Sequence, residues 1–177
     1  MLQGQLVSLR ARRLEDIPIL QDELHDDVPT RSRADARPWR PISPGSNASP
    51  YAVREPDEEV AAFSVVELAS QDLVGEASLW KIDTHNRSAH IGLAFRPAMR
   101  RQGYGADVVN VLCQYAFATL GLHRLQLETL TDNHAMIRIA ERVGFSREGI
   151  LHQSAWVTGR FADETIFGLV SADWSTT

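Results

Sequence analysis

Arg96-Pro97-Ala98-Met99-Arg100-Arg101-Gln102-Gly103-Tyr104-Gly105-Ala106-Asp107 is the stretch on which the reading of this chain turns. An apolar run, Ala89 to Phe95, precedes it, and Val108, Val109, Val111, Leu112, Tyr115, Ala116 and Leu120 follow at helical spacing. A strand therefore runs into a basic, glycine-bearing turn that opens a helix. Gly103 and Gly105 let the backbone approach a ligand closely, and the first turn of a helix leaves N–H groups without intrahelical partners. Those donors and the positive end of the helix dipole point the same way, so such a turn can hold phosphate. Arg100 and Arg101 add charge suited to a pyrophosphate or a ribose phosphate. The alternative is a plain helix start with solvated arginines.

Two other phosphate motifs do not fit. A dinucleotide fingerprint requires Gly or Ala where Val108 stands, and a P-loop requires a Gly-Lys-Ser/Thr ending that is missing here. What remains is Arg100-x-x-Gly103-x-Gly105 after a strand.

Outward toward the N-terminus, Phe63 to Leu68 and Leu73 to Trp80 read as strands joined through Ser70-Gln71-Asp72. With Ala89 to Phe95, after the turn at Asn86-Arg87, they form a three-strand antiparallel meander. Toward the C-terminus, Gly121 stops the helix and His123 to Thr129 follows as a strand. A strand, helix, strand unit of this kind pairs its strands in parallel through a right-handed crossover. Asp132 and Asn133 can cap the next helix, whose apolar positions Met136, Ile137, Ile139, Ala140 and Val143 cover a core face. Gly144 ends it. A strand from Phe145 to about His152 continues in Ser154 to Val157, which pairs with Thr165 to Val170 across a turn near Thr158-Gly159.

Leu6 to Arg10 reads as the first strand, and Leu14 to Leu20 as a helix start with acidic residues and Pro18 in its first turn. Asp57 to Ala61 reads as a short helical turn. From Asp26 to Pro56 periodicity breaks, in a segment that carries Arg31, Arg33, Arg37, Pro38, Trp39, Arg40, Pro41, Pro44, Gly45 and Pro50. It is longer than ordinary connections, and it forms either the wall of a substrate cleft or a flexible surface excursion; Trp39 and Tyr51 favour partial order. The expected architecture is α+β, one domain over residues 1–177, with a mixed, mostly antiparallel sheet of about seven strands flanked by helices.

Composition narrows the function. A chain of 177 residues, 44% hydrophobic and 23% charged, fits one globular domain with enough core to fold alone. A net charge of -5 and a pI near 5.6 argue against general nucleic-acid binding and suit an amine-bearing substrate better. The single cysteine, Cys113, lies inside the apolar stripe, which excludes an intrachain disulfide and favours a buried thiol over a nucleophile. No apolar run approaches membrane-spanning length and Met1-Leu2-Gln3-Gly4 does not open a signal peptide, so a cytoplasmic protein with no membrane partner is expected. Lys81 is the one lysine among 18 basic residues, a bias of the whole chain. His25, His85 and His90 show no metal-ligand constellation, and no metal is expected.

Four ordered blocks carry a resemblance. Arg100-x-x-Gly103-x-Gly105 resembles the acyl-CoA loop of the GNAT superfamily of N-acetyltransferases. Asn133 to Phe145 is similar to the pattern in which an Asn opens a helix that closes with Gly-Phe. Ala89-His90-Ile91-Gly92-Leu93-Ala94-Phe95-Arg96-Pro97 and the tail from Gly159 to Trp174 resemble the branch that acetylates ribosomal-protein N-termini. The resemblance implies a sheet splayed between the strand ending at Phe95 and the strand ending near Thr129, with acetyl-CoA as co-substrate in the gap. Backbone at Leu93, Ala94 and Phe95 would pair with the pantetheine arm. Amides of the loop Arg100, Arg101, Gln102, Gly103, Tyr104, Gly105 and Ala106 would take the pyrophosphate. Asn133 either hydrogen-bonds the pantetheine or simply caps its helix.

Amide formation from a thioester needs a neutral amine, so a base must accept a proton. Glu128, five residues before Asn133, occupies a position where members of the N-terminal branch carry a Glu base; the alternative is an exposed strand glutamate. Glu76 is the second candidate, and His134 and His152 follow. Relatives donate a proton to the departing thiolate from a Tyr seven residues after the Asn or a Ser three residues after it, where this chain has Ala140 and Met136. Water, Tyr104 or the long segment is left for that role. The expected partners are therefore acetyl-CoA and an amine acceptor, with an edge strand or the final hairpin as a surface for a homodimer. The rival readings are a non-catalytic acyl-CoA-binding domain and a nicotinamide-dependent oxidoreductase, the latter requiring a parallel sheet.

Overall fold

Alternation along a strand sorts its side chains to two faces. In Leu73–Asp83, Ala77 and Leu79 are buried on one face, while Glu76, Ser78 and Trp80 are half-buried on the other. The same rule applied to each strand builds a sheet with a large core on one side and a smaller one on the other. The computed structural model describes residues 1–35, 37–43 and 45–175; Pro44 of the long segment lies outside them.

The elements in chain order are β1 (Leu2–Gln3), β2 (Val7–Arg10), α1 (Asp16–Leu20, prolonged by a π turn over Gln21–His25) and α2 (Val28–Ala34). Next come β3 (Val60–Glu67), β4 (Leu73–Asp83), β5 (Ser88–Phe95), a 3-10 turn at Pro97–Met99, and α3 (Tyr104–Gln114, prolonged by a π turn over Tyr115–Thr119). The chain finishes with β6 (Arg124–Leu130), α4 (His134–Val143), β7 (Ser146–Val157) and β8 (Arg160–Val170). They form one eight-stranded sheet in the order β1-β2-β3-β4-β5-β6-β8-β7. Every neighbouring pair is antiparallel except β5 and β6, which the α3 crossover makes parallel. The eighth strand is β1, a two-residue addition against β2 that the sequence pattern does not announce.

The β5–β6 ladder is short. It holds Ser88 to Arg124, Ala89 to Leu125 and His90 to Gln126, and ends there. Beyond it β5 stays paired with β4 as far as Phe95, and β6 stays paired with β8 as far as Leu130. The sheet therefore opens into a wedge, as the family resemblance implied.

One face is filled by α3, whose Val108, Val109, Leu112, Cys113 and Ala116 pack with Leu9, Val65, Leu79, Ala89, Leu125 and Leu127 in the main core. Helix α4 leans on α3 through Ile139, whose tip lies where a Cβ at Gly105 would stand. On the other face Leu20, Leu24, Tyr51, Val66 and Leu73 form a second cluster beside Ala94.

Two expectations are corrected, and the long segment proves partly ordered. Asp57 to Ala61 is not a helical turn, since Val60 and Ala61 open β3 opposite Trp80 and Leu79. Ser154 to Val157 does not pair with Thr165 to Val170: Ala155, Trp156 and Val157 face Ala162, Phe161 and Arg160, and Thr165 lies opposite Ile150. Within the long segment, Val28–Ala34 is helical, Pro29 sits in its first turn and Asp27 caps it; further on, Tyr51 is 1% exposed.

Two acids pin the periphery. Asp107 on α3 accepts hydrogen bonds from the amides of Gln5, Leu6 and Val7 at 2.8–3.0 Å, and Gly4 leaves room for the carboxylate. Asp16 is buried and takes the Arg10 fork at 2.7 and 2.8 Å, the Arg13 amide at 2.8 Å and the Ser64 hydroxyl at 2.8 Å. Burial raises the Asp16 pKa, yet these donors outweigh it and hold the carboxyl below its ordinary value.

Asp107→Ala strips three amides of their acceptor and is expected to cost about 2 kcal/mol, a fall of roughly 4–8 °C in Tm by calorimetry. Asp16 contributes stability that is fully present above its unfolded pKa, near 4, and is lost as the pH falls through the lower folded value. The wild-type Tm should therefore drop on acidification below about pH 4, and Asp16→Asn should flatten that part of the curve.

Candidate active site

The wedge is walled by Ile91–Phe95 of β5 and Leu127–Leu130 of β6, and the start of α3 comes up to the end of β5, where the Phe95 ring lies 3.6 Å from the place of a Cβ at Gly105. Past His90 these two stretches share no ladder pairing, so backbone groups that face across the wedge lack the strand partner they would have in a closed sheet. Leu93, Ala94 and Phe95 are paired on their other side with Ala77, Glu76 and Gly75. The approach of β4 is close: a Cβ at Gly75 would stand 2.1 Å from the Ala94 carbonyl oxygen.

The loop that enters α3 is bent by two residues with positive φ, Arg101 at 63° and Gly103 at 88°. Gly103 occupies the cap position of α3 and offers no side chain to the first-turn amides, so these donors are available to an anion. The contrast with α4 is direct, because there the Asn133 side-chain Oδ1 accepts the Met136 amide at 3.3 Å. Asn133 also donates to the Thr129 hydroxyl at 2.9 Å, so its capping role is visible in the structure. Arg100 turns back to the Phe95 carbonyl at 3.0 Å, and Gln102 to the Ala98 carbonyl at 3.0 Å; the Arg101 side chain is exposed. Tyr104 and Gly105 are buried and Ala106 is half-buried, so this part of the loop presents backbone more than side chain.

Tyr104 has a structural task of its own. Its ring is 4% exposed, and its hydroxyl donates to Glu67 at the end of β3, which with burial pushes its pKa up to about 12. It thus ties the start of α3 to the β3–β4 hairpin and has no proton to spare for a departing thiolate. Ala140 is fully buried and Met136 packs against the core, so neither slot supplies a donor. Burial pushes the Cys113 thiol up to about 12, which removes it as a nucleophile.

The two glutamates part company. Glu76, level with Ala94 in the sheet, is held by Arg12 at 2.8 Å. Burial raises its pKa against the pull of that arginine. Arg12 lies over the Tyr51 ring, and Arg31 is paired with Asp35 nearby. Glu128 is different. It follows the last β5–β6 rung by two residues and shares a face with Gln126 and His90. Its Oε1 accepts the Gln126 amide at 2.6 Å and lies 3.5 Å from His90 Nδ1, and 29% of its side chain is exposed. Periodicity alone could not single out His90: it reaches Glu128 only through the parallel register.

The remaining histidines lie elsewhere. His134 is exposed at the start of α4, and His152 pairs with Asp163 at 3.1 Å with 78% of its side chain exposed.

Comparison with known proteins accords with this geometry. The acetyltransferase (GNAT) domain family matches residues 7–146. YoaA, an N-acetyltransferase of Bacillus subtilis, is 30% identical over 101 residues, which is 57% of each chain. The spermidine N(1)-acetyltransferase of Vibrio cholerae is 30% identical over 99 residues, or 56% of this chain and 57% of its own length. The matches thus span little more than half the length of these relatives. A crystal structure of spermidine N-acetyltransferase from Vibrio cholerae, in complex with CoA and spermine, superposes with a TM-score of 0.79 at 21% identity, covering 94% of this chain and 96% of that one. With the family match extending over most of its length, and its fold shared with that solved structure, the chain belongs to the GNAT acetyltransferase family.

Proposed function

We propose that the chain is an acetyl-CoA-dependent N-acetyltransferase that passes the acetyl group to a primary amine by direct attack in a ternary complex. The observation that carries this reading is the wedge itself, with uncapped amides at the start of α3 and Glu128 just past the vertex. These residues fit the co-substrate. The amides from Arg101 to Ala106 would take the pyrophosphate, and the β5 backbone from Leu93 to Phe95 would pair with the pantetheine arm. Asn133, already engaged as a cap, has one further side-chain N–H to offer. Acetyl-CoA supplies the activated carbonyl, to which the amine nitrogen forms a C–N bond while the C–S bond breaks.

Glu128 accepts the proton that the amine must lose. Its Oε1 is already bound by Gln126, and solvent reaches part of its side chain. Glu76 carries an arginine partner and serves better as a wall of the acceptor side. The thiolate leaves without a dedicated side-chain acid, since Met136, Ala140 and Tyr104 provide none.

Charge accounting bears on the acceptor. Around α1 and α2, Asp16 is held by Arg10, Glu76 by Arg12, Asp35 by Arg31 and Arg37, and Asp132 by Arg33. A single amine needs one carboxylate, Glu128; in the same region Asp22, Asp26 and Asp27 carry no arginine partner among the described residues. The blocks that resemble the ribosomal-protein branch favour a protein N-terminus or a small monoamine as the acceptor. The second reading, an acyl-CoA-binding domain without turnover, is motivated by the apolar Met136 and Ala140.

Calorimetry should detect CoA binding, and Gly103→Val, which forces a β-branched residue to a φ of 88°, should weaken it by roughly tenfold or more. A thiol-release assay with acetyl-CoA and a panel of spermidine, simple monoamines and short peptides should show turnover on a monoamine or peptide. Glu128→Gln should lower kcat by roughly 10²–10⁴-fold with CoA affinity unchanged. CoA binding with no thiol release on any amine would establish the second reading instead.

A further inference from the structure

We infer that His90 is a positioning residue for Glu128: its Nδ1–H holds Oε1 together with the Gln126 amide, which leaves Oε2 to accept the proton of the acceptor amine. The inference rests on Glu128 as the proton acceptor proposed above.

The first observation is an orphan. Nδ1 of His90 is shut off from solvent and has no hydrogen-bond partner, and the 19% of the side chain that solvent reaches lies elsewhere on the ring. The carboxylate oxygen it faces is Glu128 Oε1 at 3.5 Å, about half an ångström beyond an ordinary hydrogen bond. A buried nitrogen in that position has two neutral states. With a lone pair at Nδ1 it opposes a carboxylate, and with a proton there it meets an acceptor. The second is favoured, because a carboxylate attracts a donor and repels a lone pair.

The second observation is the division of labour at the carboxylate. Gln126 Nε2 donates to Oε1 at 2.6 Å, and among the described residues no protein donor reaches Oε2. One oxygen is thus held by Gln126 from β6 and faced by His90 from β5, and the other is free. The third observation is place. His90 and Gln126 are the last rung before β5 and β6 diverge, so the holding contact spans the vertex of the wedge. The Trp80 ring lies 4.5 Å from the imidazole on the β4 side and limits where it can turn.

The arrangement works with a neutral ring. A neutral donor orients the carboxylate and leaves its charge, whereas an imidazolium would form an ion pair and reduce its basicity. The charged groups around His90 are Glu128 and Arg124 on β6 and Lys81 on β4. Burial lowers the His90 pKa; Glu128 raises it and Lys81 and Arg124 lower it further, with a net downward shift. The ring is therefore neutral at physiological pH and charges only on acidification.

The tautomer is read directly by 15N NMR of the full chain at neutral pH. His90 is expected as the Nδ1–H form, reverting to the Nε2–H form usual in water when Glu128→Ala removes the acceptor. An Nε2–H ring in the wild type overturns the inference. Kinetics with the most active amine of the panel give the second arm. His90→Phe should lower kcat by roughly tenfold or more, with the KM for acetyl-CoA unchanged. His90→Asn, whose amide N–H falls near the place of Nδ1, should bring kcat to within about threefold of wild type and remove the His90 ionisation from the acid limb of the pH profile. Full activity in Glu128→Gln overturns the base reading and the positioning role with it. Loss in Glu128→Gln with full activity in His90→Phe overturns the positioning role alone.

Discussion

Three rungs of parallel pairing between β5 and β6 hold the two halves of this sheet together, and everything functional depends on their stopping at His90 and Gln126. A strand can leave its neighbour only if its other edge is satisfied. Here β4 keeps β5 in place to Phe95 and β8 keeps β6 in place to Leu130, so the wedge opens without either strand losing its anchorage. Backbone groups that face the opening are then left for a ligand or water. The main core beneath α3 spans both halves, since Leu79 and Ala89 on one side and Leu125 and Leu127 on the other share it.

The start of α3 is held by side chains that turn away from the wedge. Asp107 reaches to the β1–β2 turn and Tyr104 to the end of β3. Both residues could have competed for the first-turn amides or for an anion, and neither does. The helix is pinned by its polar side chains while its N–H groups stay uncommitted, which is what an anion site at a helix start requires. On the opposite face the arginines around α1 and α2 hold Asp16, Glu76 and Asp35, while Glu128 is paired only with neutral groups.

Much of this could be read from the residues in order. The strand before Arg96, the glycine turn, the stripe of α3, the Asn133 cap and the Gly144 stop all have local causes, and each stands where its local signal put it. Misreadings arose where a distant partner overrides local pattern. Asp57-Glu58-Glu59 looks like the acidic first turn of a helix, but Val60 and Ala61 gain strand partners in Trp80 and Leu79. The register of the final hairpin is not legible locally, because bulges between Arg147 and Gly149 and between Leu151 and Ala155 absorb residues that a period of two cannot count. Helix α2 has no clear sequence signal, because Val28–Ala34 is short and carries little apolar periodicity.

The choice between Glu76 and Glu128 shows where sequence stops. Both sit at half-buried strand positions, and nothing local separates them. Arg12, which engages Glu76, lies 64 residues away from it, and His90 meets Glu128 only because the crossover sets β5 and β6 side by side. By itself the sequence determined the strand, the glycine turn, the helix stripe and the caps, since these arise from contacts within a few residues. Only the tertiary structure decided which carboxylate is already paired, which histidine stands beside the free one, and where the sheet divides. Those depend on strand register and on charges brought together from far apart in the chain.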